Sequence, residues 1–346
     1  MSIKRQRFFM RFTYVLAFFA LFSCSEKAAD PLHLSKSIVV ANGGDNSLSV
    51  LDPASYTEKH RIYLKAPQAT YLHHLDLSPD KKSLALAFPE YDFSGGHDGL
   101  HGLDVKGYVS LYNIERQDIT RTVQVPYANH NAVFSQDGKE VWTSLVSHSG
   151  RVLVHRTDNG ALLASITVGA DPHEILLMAE GRYVVVSCME SSFLTVIDTE
   201  NKKIVRDIKV DPFPSNVWKG QDSYTVIVEN SNQKTLNFVD LNSLSVKDHI
   251  DLDFAPGFTG YDPEGRLWIC AKGQDFLYRF EKINGEWKST LKIPTEKDPH
   301  QFLFHDDKLW LIHQKQNTVA IIDRQSGEKT QSINVGLKPN ALLYIP

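Results

Sequence analysis

The chain has 346 residues, 42% hydrophobic and 23% charged, which is enough apolar material for a substantial core. Its formal charge of -4 conceals a division: residues 1–23 hold Lys4, Arg5, Arg7 and Arg11 and no acid, leaving 33 basic against 41 acidic residues in the remainder. An acidic body argues against nucleic acid or an anionic membrane surface as the main partner.

The basic opening runs into an apolar stretch from Phe12 to Leu21. At about ten residues it is too short to span a bilayer and of the length of a signal-peptide core. It closes on Leu21-Phe22-Ser23-Cys24, which resembles the bacterial lipobox, where the chain is cut ahead of a cysteine that receives lipid. The expectation is a signal peptide over 1–23, lipidation at Cys24 and a tether over 24–36. With Ser25 after the cysteine, the resemblance implies anchoring through lipid to the outer membrane of a bacterial envelope, on its periplasmic side or at the cell surface.

Next come short apolar segments, most of them ending in an acid: SLSVLD (47–52), YVSLYN (108–113), RVLVHR (151–156), FLTVID (193–198), TLNFVD (235–240), FLYRFE (276–281) and TVAIID (318–323). Their ends are spaced by 61, 43, 42, 42, 41 and 42 residues, a regular period with one insertion of 19 residues. The segments alternate and are rich in Val, Ile, Tyr and Phe, so they read as strands and exclude a helical solenoid. One period contains four of them, for instance HEILLM (173–178), YVVVS (183–187), FLTVID (193–198) and KIVRDIKV (203–210). Four antiparallel strands per period of this length is the signature of a propeller blade.

The two ends complement each other. The first strand, SIVVAN (37–42), suits the second position of a blade, and the last, NALLYIP (340–346), suits the first. Together they predict an all-β, seven-bladed propeller over 37–346, closed by pairing 37–42 with 340–346. Its inner strands should begin near 72, 130, 173, 214, 257, 300 and 340. The segments VVANGGDNSLSVLDP (39–53), SPDKK (78–82), SQDGK (135–139) and VGADPHE (168–174) resemble the YVTN family of bacterial propeller repeats, across essentially all of 37–346. That resemblance implies the same fold and a kinship with the haem-binding propeller of nitrite reductase.

Chemistry is sought where loops meet the propeller axis. His73, His130, His173 and His300 take equivalent places at the start of inner strands, and His74 adjoins the first of them. His148 and His313 are expected in loops between second and third strands, and His97 and His101 fall in the insertion, EYDFSGGHDGLHGLDVKG. These nine of 14 histidines should share one face. Imidazole is the commonest metal ligand, so His73, His74, His130, His173 and His300 are candidate ligands for copper, zinc, iron or haem. The loop histidines are candidate ligand-binding residues. Cys-x-x-Cys-His is absent, which excludes covalent c-type haem. Cys188 and Cys270 are expected as separate buried thiols, and Trp142, Trp268 and Trp310 as core. Asp52, Asp198, Asp240 and Asp323 are expected to form turns. No catalytic motif stands out, although His173-Glu174 offers an acid–base pair of the kind found in propeller lactonases. The chain reads first as an envelope module binding a protein or small ligand at its funnel, and otherwise as a metal- or haem-handling protein.

Overall fold

The computed structural model describes residues 34–66, 69–95, 100, 103 and 105–346. Cys24, His97, His101 and the whole of 1–33 therefore lie outside the described residues. Among those described are 28 strands in seven antiparallel four-stranded sheets. The first blade is composite. It is ordered β28 (Pro339–Ile345), β1 (Ser37–Asn42), β2 (Ser47–Asp52) and β3 (Thr57–Tyr63), from the axis outward. The remaining six are built in chain order from 74–125, 129–167, 172–209, 216–251, 256–294 and 299–334.

Ring closure is a ladder in which Ile38 faces Tyr344, Val39 faces Leu343, Val40 faces Leu342 and Ala41 faces Ala341. It gives β1 a partner on its inner side, while β28 lines the axis as the other inner strands do. The folded body begins slightly earlier than the strand pattern indicates. Leu34 is fully buried and packs with Leu48 and Leu72, so the segment read as a tether contributes this one residue to the core.

Each blade buries its second and third strands against its neighbours, and those strands read as nearly continuous apolar runs. Outer strands are largely exposed, as in Lys203–Lys209, where only Ile208 is buried. Trp142, Trp268 and Trp310 stand at matching second-strand positions and are completely buried. Trp310, for example, packs with Ile38 and Val40 of the composite blade. Cys188 and Cys270 are separate, buried thiols. The third-strand aspartates do form turns: Asp52 accepts from the Ala54 N–H, Asp198 from those of Glu200 and Asn201, and Asp323 from those of Gln325 and Ser326.

One irregularity positions the site. On five blades the inner strand bulges immediately after its first residue: the composite blade releases Asn340 alone, and on four others pairing with the second strand skips from Asn129 to Ala132, Pro172 to Ile175, Pro256 to Thr259 and Pro299 to Phe302. Such bulges re-aim side chains. The pairs released from the ladder are His130-Asn131, His173-Glu174, Gly257-Phe258 and His300-Gln301. In two blades an aspartate in the left-handed region, Asp171 (φ 53°) or Asp298 (φ 64°), precedes the strand and turns the chain into it; a short polar side chain tolerates that conformation better than most.

Candidate functional site

The bulges of the third and fourth blades and the start of the second bring imidazoles together beside the axis. His73, His74 and His130 each offer a ring nitrogen, and these three atoms lie within 4.8 Å of one another. This is the one such group among the described residues. Ring centroids are 4.4 Å apart for His73–His74, 4.5 Å for His73–His130 and 5.0 Å for His74–His130. His73 and His130 are buried and His74 half-buried.

Hydrogen bonds define which nitrogens are available. His73 Nδ1 is 3.0 Å from the carbonyl oxygen of His130. A carbonyl can only accept, so this nitrogen carries the proton and Nε2 carries the lone pair. His173 repeats the arrangement two blades on, with Nδ1 donating to the Ser215 carbonyl at 3.0 Å. Behind the group stands Glu174, whose Oε2 is 2.8 Å from His130 Nδ1 and 3.7 Å from His74 Nε2. Asn131 holds that carboxyl through its amide nitrogen, and its side chain also bridges to the backbone of Ile175 on the next blade (2.8 Å and 3.1 Å).

Burial sets the protonation state. It holds His73 well below its ordinary pKa, with neighbouring His74 adding to the effect. Burial, then the nearby His300 and His173, bring His74 down to about 3. His173 is also lowered to about 3, by burial and then by Lys272. Burial pushes the Glu174 carboxyl well above its usual range, and the charge of Glu229 acts in the same direction. These imidazoles are thus neutral at physiological pH, the form that ligates metals.

Two cavities meet at the histidines. On the face where inner strands begin lies a small one of about 150 Å³, lined by His73, His74, His130, His300, Lys272 and Phe93 among others. Phe93, in the described part of the insertion, packs at 4.9 Å from the His73 ring and 5.7 Å from that of His130. The opposite face opens a wider mouth of about 960 Å³ whose inner end reaches His74 and Glu174.

The predicted residues therefore separate. His73, His74 and His130 form the core of the site. His173 stacks on His130 with centroids 4.8 Å apart, and His300 lines the same small cavity without joining the three converging nitrogens. His148 is on an exposed loop, 2.6 Å from Glu190, and does not line the cavity. His313 was expected in a loop. It is instead the last residue of β25 (Lys308–His313), is buried, and faces a separate recess beside Glu296, because the second strand continues to that point before turning. Sequence reasoning missed Asn131, Glu174's contact with His130, and Phe93. The equivalence of His130-Asn131 and His173-Glu174 in the repeat was the available signal for the first two.

No family model matches the chain, and no curated protein sequence matches it. Solved structures do. The periplasmic gluconolactonase PpgL of Pseudomonas aeruginosa is 17% identical, with 90% of this chain covering 99% of that one at a TM-score of 0.71. The dihydro-heme d1 dehydrogenase NirN, solved in complex with DHE, is 16% identical over 92% of this chain and 76% of that one, with a TM-score of 0.62. Hydrazine synthase of Kuenenia stuttgartiensis is 18% identical over 78% and 88%, with a TM-score of 0.63. At such identities the likeness is one of fold. The chain is a seven-bladed β-propeller with four antiparallel strands per blade.

Proposed function

We propose that this is an exported, lipid-anchored envelope propeller that binds a transition-metal ion at His73, His74 and His130 and offers the ion's open side to a small ligand. The observation that carries the metal is the convergence of three ring nitrogens within 4.8 Å. The surroundings fit it. His73 is fixed in the tautomer that leaves Nε2 for a metal, by a hydrogen bond to a backbone carbonyl. His130 is backed by a carboxyl group, as ligating histidines commonly are.

Three imidazoles with a vacant fourth position suit zinc or copper, and a non-haem iron less well. A neighbouring cavity of about 150 Å³ has room for a coordinated water or a small ligand and is too confined for a tetrapyrrole. Export and lipidation rest on the basic and apolar opening of the chain and on Leu21-Phe22-Ser23-Cys24.

The test is elemental analysis and calorimetric titration of the full chain, purified in detergent, with zinc and with copper. Wild-type protein should bind a single ion, and His130→Ala should lose it. His249→Ala, whose ring sits at the surface against Asp211, should keep it. A chain that takes up neither metal, or whose uptake is unaffected by His130→Ala, would sink the proposal.

A further inference from the structure

The wide mouth on the face where inner strands end has a wall of a different kind. Trp218, Phe258, Phe302 and Phe304 line it, supplied by three consecutive blades. Their rings touch in series, with centroids at 4.6 Å for Trp218–Phe258, 4.7 Å for Phe258–Phe302 and 5.3 Å for Phe302–Phe304. All but Phe302 are only half-buried, so the contacts between blades do not consume the rings. The mouth is also lined by Asp76, Glu180 and Asp222, against a single cationic side chain, Lys219, among the described lining residues.

The rings and the carboxylates select for the same sign of charge. Aromatic faces carry the negative lobe of the ring quadrupole and attract cations. The carboxylate excess attracts cations as well and repels anions. At about 960 Å³ the mouth is the size of pockets that take whole organic molecules. We propose that the wide mouth is a binding site for an organic cation, a protonated amine or quaternary ammonium with an apolar body, seated on the open faces of Trp218 and Phe258 with its charge toward Asp222 and Glu180. This site is separate from the proposed metal centre, which lies at its inner end, and it does not require the metal.

The experiment is calorimetric titration of EDTA-treated full chain with benzyltrimethylammonium, with benzoate and glucose as probes of matched size and different charge. The cation should bind saturably, and the other two should not. Phe258→Leu keeps apolar volume while removing the ring face, and Asp222→Asn removes charge without changing shape. Each should weaken cation binding by about fivefold, and His130→Ala should leave it unchanged. If the aromatics only fill the spaces between blades, no saturable cation binding appears. That outcome would overturn the proposal, as would preferential binding of glucose or benzoate, or cation binding indifferent to both mouth variants. None of these results bears on metal uptake, which is scored separately.

Discussion

Glu174 lies between the strand ladder and the histidines. Its carboxyl is buried, held on one side by Asn131 and set 2.8 Å from His130 on the other. If it supports a ligating imidazole, Glu174→Gln should weaken zinc binding about 10- to 100-fold while leaving the fold intact, since groups behind metal ligands contribute on that scale. Titration calorimetry beside circular dichroism checks both halves. His313 gives a different kind of prediction. Burial lowers its pKa from 6.5 to about 4, against the opposing pull of Glu296. Between those values the unfolded chain binds the proton and the folded chain does not. Its contribution to stability is therefore complete above pH 6.5, is lost as pH falls toward 4, and changes no further below. His313→Gln should remove this dependence, so that wild type loses about 1.5 kcal/mol more than the variant between pH 6.5 and 5 in urea unfolding. At this scale the sequence is a partial guide. The repeat makes His73, His130, His173 and His300 equivalent, yet only the first two, with His74, point nitrogens at a common centre. Equivalence in a repeat fixes height along the axis, whereas the tilt of each ring depends on its neighbours. For His173 the Ser215 carbonyl decides that tilt.

Among the elements, the strands themselves were legible and their irregularities were not. SLSVLD, RVLVHR, FLTVID, TLNFVD and TVAIID match third strands end to end, because each starts after a loop and stops at a turn-forming Asp or a charged residue. Each bulge sets two inner-strand residues against one on the second strand, a net shift of one, but it falls one residue into the strand, where too little alternation precedes it for the break in phase to show in the pattern. The aromatic wall was hidden for a related reason. Trp218, Phe258, Phe302 and Phe304 occupy positions where a core residue is also expected, and only the meeting of three blades reveals their open faces. Phe93 was unreadable because nothing in a Gly- and Asp-rich insertion indicates which of its side chains turns back over the histidines.

For the molecule as a whole, the 42-residue period and the complementary ends were sufficient to read a closed ring, and the described residues form one. Closure also places Asn340 where three segments meet: its amide donates to the Leu72 carbonyl at 2.8 Å, and its oxygen accepts from Gln314 and from the Tyr71 hydroxyl. A chain lacking 340–346 would leave β1 without its inner partner and the apolar faces of Val39 and Ala41 uncovered. The intact protein should unfold in a single cooperative transition by calorimetry, and the shortened chain should lose that transition and bind hydrophobic dye under native conditions. A truncated chain that melts in one transition at the wild-type temperature would show that the seam is dispensable.

The bulges have a consequence of their own. A dipeptide outside the hydrogen-bonded ladder is not held by strand pairing, so register constrains its identity little, although Asn131 also ties its blade to Ile175 of the next. This chain holds His-Asn, His-Glu, Gly-Phe and His-Gln at the four positions, on blades that are otherwise alike. Each bulge acts as a socket on a common frame, and the propeller can acquire a new binding preference by exchanging two residues while its sheets stay as they are.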